Sequence, residues 1–324
     1  MKAAGEFLFH LKQSSMQDII DPVDKSLIKK ELTNDKFLRH TNYGNNELYV
    51  ITHHDSPNVM REIGRLREVT FRKAGGGTGK DCDMDKFDIS GDPYQQLISW
   101  DPAEGEILGG YRFKVCSDQT KPEDLATYKL FHFSPSFVRD YLPYTIELGR
   151  SFIQPSFQST GSGRKTLYAL DNLWDGLGAL VVLNPEHKYF FGKVTMYQHF
   201  NRKARDMILY FLHDKFDDAR ELVHPSDPEE IETDLSELKP LFEGRSFEQG
   251  VKMLSQNVRQ LGENIPPLIN AYMNLSSTMK IFGTALNESF GNVEETGIMI
   301  TIEDIYPKKV RRHVDSFARE RKNG

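Results

Sequence analysis

The sequence predicts an α+β fold in three layers (an α/β/α sandwich), in which helices cover a mixed, mostly antiparallel central sheet. Its 324 residues are 38% hydrophobic and 27% charged, values that are ordinary for a globular protein, so the chain can bury a substantial core. Strand-like segments follow one another in groups, with single amphipathic helices between the groups. A doubly wound nucleotide-binding fold requires strands and helices to alternate strictly, and this chain does not alternate.

The first elements are defined by local signals. Residues 1–42 are predicted to form a polar, partly helical N-terminal extension, and ELYVIT (47–52) alternates as a strand. Residues 57–73 are predicted to form a helix because Ser56 is a favourable N-cap and Pro57 suits the first turn. The inward stripe of this helix is Val59, Ile63, Leu66 and Thr70.

The remaining elements follow from the same two periodicities. Further strands are predicted at 94–100, 106–115, 143–154, 188–197, 279–287 and 294–302. Further helices are predicted at 164–180, 200–216 and 266–276. The core is therefore expected in two parts, 43–213 and 263–310, with an acidic helical insertion at 214–262 and a basic tail at 311–324.

Charge and cysteine content limit the classes of function and the location that the sequence allows. The net charge of −6 gives no support for a general nucleic-acid binder. The basic tail is either a solvated end or a surface for an acidic partner or the anionic inner membrane. Cys82 and Cys116 make no disulfide framework, which predicts a reducing, cytoplasmic location. No stretch approaches 18 apolar residues, so no membrane-spanning segment is expected.

Two glycine-rich segments come close to the nucleotide-binding Walker A pattern, and neither matches it. In AGGGTGKD, Ala74 replaces the first glycine and Asp81 replaces the magnesium-binding Ser or Thr. In GSGRKT, Arg164 replaces the second glycine. The run from Gly75 to Gly79 is interpreted as a mobile loop.

A series of charged residues is the most specific feature of the sequence. Three aspartates fall within six residues and would repel one another unless cations lay nearby. Three arginines stand in apolar segments, where a charged side chain needs a partner, and they are the expected partners. The series, which includes a phenylalanine one helical turn after the first arginine, is Arg67, Phe71, Asp83, Asp85, Asp88, Arg112, Glu147 and Arg150.

The order of these motifs, R-x-x-x-F, D-x-D-x-x-D, G-x-x-R and E-L-x-R, resembles the acyl-homoserine-lactone synthases. It is more similar to the bacterial N-acyl amino acid synthases, the "hemolysin-like" ornithine-lipid and glycine-lipid N-acyltransferases. The phrase ELGRS and the segment PPLINAYMNLSSTM extend the resemblance, which covers residues 45–310. It implies a GNAT-like acyltransferase fold whose sheet is splayed at the fourth strand.

The turn between the fourth strand and the next helix fits the same resemblance. Its spacing Gln158-x-x-Gly161-x-Gly163 resembles the pyrophosphate loop of the GNAT acyltransferases, whose amides hold the phosphate of coenzyme A or phosphopantetheine. The implied donor-binding residues are Phe152, Gln158, Ser159, Thr160, Gly161, Ser162, Gly163 and Arg164.

The resemblance implies transfer of a long-chain (3-hydroxy)acyl group to the amine of an amino acid such as glycine or ornithine. The donor would be an acyl-phosphopantetheine thioester on acyl carrier protein or coenzyme A, with acyl carrier protein as a partner and no metal. Glu147 is the first candidate for the base, and Asp85 or Asp88 would hold the ammonium. Arg67, Arg112 or Arg150 could bind the acceptor carboxylate, and Arg150 is counted with Glu147, Asp85 and Asp88 as catalytic. Phe152 would supply an oxyanion-binding amide. The acceptor-binding set is Arg67, Phe71, Asp83 and Arg112.

Geometry adds one condition. Glu147 and Arg150 are three residues apart, so in a regular strand they face opposite ways, and a β-bulge would be needed to bring them to one side.

Two alternatives remain. A lactone synthase would carry a Trp in the loop after R-x-x-x-F, and KAGGGTGK has none. A non-catalytic GNAT-fold module would be expected to have a degenerate charged series, and here the series is intact. His53 and His54 do not indicate a metal site, because adjacent residues of a strand face opposite ways.

Overall fold

The computed structural model describes residues 16–158 and 164–323. They fall into two compact units, each built from distant parts of the chain. The first comprises the described residues of Met1–Phe113, Arg150–Leu180 and Ser289–Gly291. The second comprises those of Lys114–Gly149, Val181–Glu288 and Asn292–Gly324. The boundaries expected from sequence, with core parts at 43–213 and 263–310, stay a prediction.

Eight strands form a mixed, mostly antiparallel sheet in the order β1-β2-β3-β4-β6-β7-β10-β9, and β5 and β8 form a separate pair. The parallel pair is β6–β7. The bounds are β1 Phe37–His40, β2 Glu47–Ile51, β3 Gln95–Asp101, β4 Glu106–Val115, β5 Phe131–Phe133, β6 Thr145–Ile153, β7 Tyr189–Met196, β8 Val223–Pro225, β9 Lys280–Asn287 and β10 Val293–Thr301. Sheet and helices together confirm the α+β prediction.

The four helices predicted at 57–73, 164–180, 200–216 and 266–276 are present with bounds that agree to within three residues. The helices at Lys86–Ile89, Pro135–Asp140, Pro307–Lys309 and Asp315–Asn323 had no predicted counterpart. The helix bounds are α1 Lys25–Glu31, α2 Pro57–Lys73, α3 Lys86–Ile89, α4 Pro135–Asp140, α5 Arg164–Leu183, α6 Arg202–Phe216, α7 Leu235–Phe242, α8 Phe247–Gln260, α9 Pro267–Met273, α10 Pro307–Lys309 and α11 Asp315–Asn323. A π-helical turn at Val310–Val314 joins α10 to α11, so the basic tail is helical.

The start of α2 shows how the N-terminal segment belongs to the fold. The predicted inward stripe of α2 is buried, and Pro57 occupies its first turn. However, the Ser56 hydroxyl donates to Asp55 and caps nothing. The free N–H groups of Asn58 and Val59 instead donate to the Glu31 carboxylate, both at 2.9 Å. Glu31 and β1 lie in the predicted extension, so the sheet and its support begin before residue 43.

The acidic region differs from the expectation of a purely helical insertion. It contains α7 and α8, but also β8, which pairs with β5. Neither short strand was predicted, because three residues are too few to show an alternating pattern.

The parallel strands β6 and β7 separate part of the way along. Their register runs from Thr145↔Tyr189 to Glu147↔Phe191, although both strands continue. Where this pairing ends the two backbones are still close, since a Cβ at Gly192 would be 2.5 Å from the Leu148 carbonyl oxygen. The expected splay at this strand is therefore present.

Candidate active site

The three aspartates and three arginines of the charged series meet in the first unit. Arg67 Nη1 lies 3.1 Å from Asp88 Oδ1. Arg112 Nη1 lies 2.8 Å from Asp85 Oδ1 and 3.2 Å from Asp88 Oδ2. Arg150 Nε lies 3.0 Å from Asp83 Oδ2, and its Nη2 lies 3.8 Å from Asp85 Oδ2. The expected pairing of acids with arginines is thus observed, and the six formal charges cancel.

The inner half of this cluster is fully buried and structural. Arg67 and Asp88 have no exposed side-chain surface, and Gln96 of β3 accepts from Arg67 while its amide donates to Asp88 at 3.1 Å. Burial alone would raise the pKa of Asp88. The guanidinium groups of Arg67 and Arg112 and the Asp85 N–H outweigh that effect, so this pKa lies well below its usual range. The carboxylate therefore remains charged.

The outer half of the cluster consists of Asp83, Asp85 and Arg150, and two of these three side chains are partly accessible. The side chains of Asp85 and Arg150 are 27% and 14% exposed. Asp83 is fully buried, and neither of its oxygens accepts a hydrogen bond from a described residue. Its contact with Arg150 is close enough for an ion pair but lacks hydrogen-bond geometry. Asp83 therefore has unused accepting capacity, which a buried carboxylate usually satisfies.

The segment that carries Asp83 is fixed against α2. The Asp83 N–H donates to the Gly64 carbonyl at 3.0 Å. A Cβ at Gly64 would lie 2.5 Å from Cys82 Sγ, so only glycine permits this approach. Asp85 then begins the short helix α3 and forms a capping box with Asp88.

Arg150 has an unusual backbone conformation within strand β6. Its φ is +48°, in the left-handed region that residues other than glycine rarely adopt. Such strained residues are concentrated at functional sites. Its guanidinium carbon lies 4.2 Å from the centroid of the Phe290 ring, and Phe290 packs edge-on against Phe71 at 5.1 Å. The strand is therefore irregular where a bulge was expected.

Glu147, the first candidate for the base, lies in the second unit and is 1% exposed. Its Oε1 accepts from the Thr127 N–H at 3.0 Å and the Thr127 hydroxyl at 2.7 Å, and its Oε2 accepts from the Ala126 N–H at 3.2 Å. These contacts give the carboxylate an anchoring function for the 126–127 turn. Its catalytic role stays a prediction.

The glycine-rich loop after α2 is anchored, which corrects its interpretation as a mobile loop. The buried Glu68 carboxylate accepts from the Thr78 N–H at 3.1 Å, the Thr78 hydroxyl at 2.7 Å and the Gly79 N–H at 2.8 Å. It also pairs with Arg72 Nε at 2.7 Å. The sequence indicates the ion pair of this anchor, because Glu68 stands four residues before Arg72 on the same helix.

The expected donor site is only partly described. Phe152 is buried, and Gly109 of β4 lies against it, since a Cβ at Gly109 would be 2.4 Å from the Phe152 carbonyl oxygen. The side chain of Gln158 donates to the Ile153 carbonyl. Arg164 begins α5, the helix that was expected after the loop. Outside the described residues lie Ser159, Thr160, Gly161, Ser162, Gly163 and the side chain of Arg164.

Two further properties concern the described part of the chain. Within residues 16–158 and 164–323, no group of three His, Cys, Asp or Glu side chains is placed to hold a metal ion. None of the helices in these ranges is long and apolar enough to cross a membrane.

Fold and site together define an acyltransferase of the GNAT class, and a model of the acetyltransferase (GNAT) domain matches residues 66–167. The chain is 55% identical over 309 residues to the glycine N(alpha)-acyltransferase of Phocaeicola vulgatus, covering 94% of this chain and 95% of that protein. It is 56% identical over 306 residues to the glycine N(alpha)-acyltransferase of Bacteroides thetaiotaomicron, covering 93% and 91%. The chain therefore belongs to the GNAT-fold N-acyl amino acid synthase family.

Proposed function

We propose that this acyltransferase joins a long-chain acyl group, carried as a pantetheine thioester, to the amino group of glycine. The observation that carries the proposal is the near full-length identity to two relatives named for glycine N-acylation. The charged cluster supports it, because a free amino acid presents an ammonium and a carboxylate that need opposite charges in one site.

The outer half of the cluster supplies both charges. Asp85, the most exposed aspartate of the cluster, is suited to hold the ammonium of glycine. Arg150 is the most exposed arginine of the cluster, and its planar fork suits a carboxylate. Arg67 and Asp88 lie too deep for contact with an acceptor, and their role is to hold Arg112 and Asp85 in place.

The reaction requires the ammonium of glycine to lose one proton to a base. The free amine then attacks the thioester carbonyl carbon, a C–N bond forms, and the C–S bond breaks. The attacking nitrogen loses its second proton as the sulfur leaves, and the thiolate takes up one proton, so the products are the N-acyl amide and a free pantetheine thiol. Asp85 or Glu147 would accept the first proton, directly or through water. The Phe152 amide would stabilise the negatively charged carbonyl oxygen.

The donor would bind next to the end of β6. The sequence spacing Gln158-x-x-Gly161-x-Gly163 before α5 makes this segment the expected site of the pantetheine phosphate, whether the pantetheine belongs to acyl carrier protein or to coenzyme A. An acidic carrier protein would favour a basic surface such as Arg311 and Arg312 or the region of Arg164 and Lys165. We place the reaction in the cytoplasm, with peripheral contact to the inner membrane as the route by which a lipid product leaves.

The test is to incubate the protein with the twenty amino acids and ornithine at equal concentrations and one long-chain acyl thioester, on carrier protein or on coenzyme A. Products are identified by mass. We expect N-acylglycine as the main product and release of one thiol per amide. An intact thioester with both donors would refute the acyltransferase proposal, and N-acylornithine as the main product would refute the choice of glycine.

A further inference from the structure

The turn between β9 and β10 contributes a side chain to the charged cluster that no motif of the series includes. We propose that Phe290 of this turn is a positioning residue for Arg150, and that the Phe71–Phe290 pair restricts the acceptor to an amino acid without a side chain. This inference rests on the proposed function, since it assumes that Arg150 and Asp85 bind the acceptor.

The first step concerns the orientation of Arg150. On one side its Nε faces Asp83 at 3.0 Å, and on another its guanidinium lies 4.2 Å over the Phe290 ring. An aromatic ring at this distance attracts the cation and limits its rotation. The side-chain conformations open to Arg150 also depend on its left-handed backbone, whose φ is +48°.

The second step concerns the position of Phe290 itself. The ring is 4% exposed and packs against Phe71 of α2. The neighbouring Gly291 has φ of +87°, and a Cβ there would be 3.0 Å from Gly76 Cα, so the two backbones are in direct contact. Since the glycine-rich loop is anchored by Glu68, the turn rests on a fixed support.

The third step concerns the acceptor. An amino acid whose carboxylate meets Arg150 and whose ammonium meets Asp85 would lie close to the Phe71–Phe290 pair, because Arg150 itself lies over the Phe290 ring. The Phe71–Phe290 pair is held by backbone contact, so displacing it to make room for an acceptor side chain would cost free energy, because closely packed groups resist added volume. A side chain on the acceptor would therefore be excluded on this side, and glycine would not.

The experiment compares Phe290→Leu with Phe247→Leu. Phe247 of α8 is the matched control, a phenylalanine that contacts Phe211 and Phe216 and neither Arg150 nor Phe71. For Phe290→Leu we expect the KM for glycine to rise about 5- to 30-fold, from the loss of the cation–aromatic contact. We expect the KM for the acyl thioester to stay within about twofold.

A second readout is acceptor selectivity. The ratio of kcat/KM for alanine to that for glycine should rise about tenfold in Phe290→Leu, because one methyl group in a tight site is worth a factor of about 10 to 200. Phe247→Leu should change neither the KM for glycine nor this ratio. Thermal melting of both variants shows whether each is folded.

The outcomes separate the two proposals. If the wild-type protein acylates glycine and folded Phe290→Leu keeps its KM and selectivity, the inference about Phe290 is overturned and the proposed function stands. If the wild-type protein acylates no glycine, both fail. An equal loss of kcat with every acceptor, without a change in KM, would also overturn the positioning role.

Discussion

Replacing Asp88 by Asn should destabilise the protein strongly, although the two side chains have nearly the same shape. Asp88 accepts from Arg67, Gln96 and Arg112 at 3.1–3.2 Å and from the Asp85 N–H at 3.0 Å. The substitution leaves the fully buried Arg67 without its counterion. Removing one partner of a buried pair costs about 3–5 kcal/mol, against a total stability of about 5–15 kcal/mol.

The assay is equilibrium unfolding in urea followed by circular dichroism, with the slope m checked for constancy. The matched control is Asp140→Asn, which removes a carboxylate whose ion pair with Arg139 is exposed on both sides. We expect no measurable change for the control. A loss below about 1 kcal/mol for Asp88→Asn would refute the idea that the inner pair supports the site.

Asp88 also makes the stability of the protein depend on pH. Because its pKa is lower in the folded state than the ordinary value of about 3.9, Asp88 contributes stability at neutral pH. That contribution is lost as the pH falls below this ordinary value toward the folded pKa. The stability of the wild-type protein should therefore decrease more steeply than that of Asp88→Asn between about pH 5 and pH 2. Parallel curves would contradict this assignment.

Three further outcomes are expected. Glu68→Gln should speed cleavage by trypsin after the exposed Lys80, because the glycine-rich loop loses a charged anchor. The control Glu243→Gln should be cleaved there at the wild-type rate. Equal cleavage rates for Glu68→Gln and the wild-type protein would show that Glu68 does not hold the loop. Burial raises the pKa of Cys82 to about 11 and that of Cys116 to about 12, so both thiols should resist iodoacetamide at pH 8 until the protein is unfolded, as followed by mass. Glu147→Gln should lower kcat about 100-fold or more if Glu147 is the base, with the KM for the donor unchanged; retention of kcat would leave it only its anchoring contacts.

Much of the fold could be predicted from sequence because its elements are long and periodic. The inward stripe of α2 and the buried strands β3 and β4 are examples. The pairing of aspartates with arginines was also predictable, since neither set is stable alone in apolar surroundings. Three-residue strands such as β5 and β8 carry no period, and their pairing depends on contacts between distant segments.

Two residues in contact with the charged cluster, Gln96 and Phe290, have no signal in the sequence. Gln96 and Phe290 act through neighbours that are far away in sequence, so no local spacing reveals them. The Ser56 cap was misassigned because Glu31, from another helix, satisfies the same N–H groups better. Paired glycines within a strand, such as Gly109 and Gly110, did offer a signal of close backbone approach.

The most direct test of glycine binding at the charged cluster is the KM for glycine of Asp85→Asn, with thermal melting to confirm the fold and Asp140→Asn as control. Loss of a charged hydrogen-bond acceptor, worth about 1.5–3 kcal/mol, should raise this KM about 10- to 150-fold and leave the KM for the acyl thioester unchanged. A folded Asp85→Asn protein with the wild-type KM for glycine would show that the acceptor binds elsewhere.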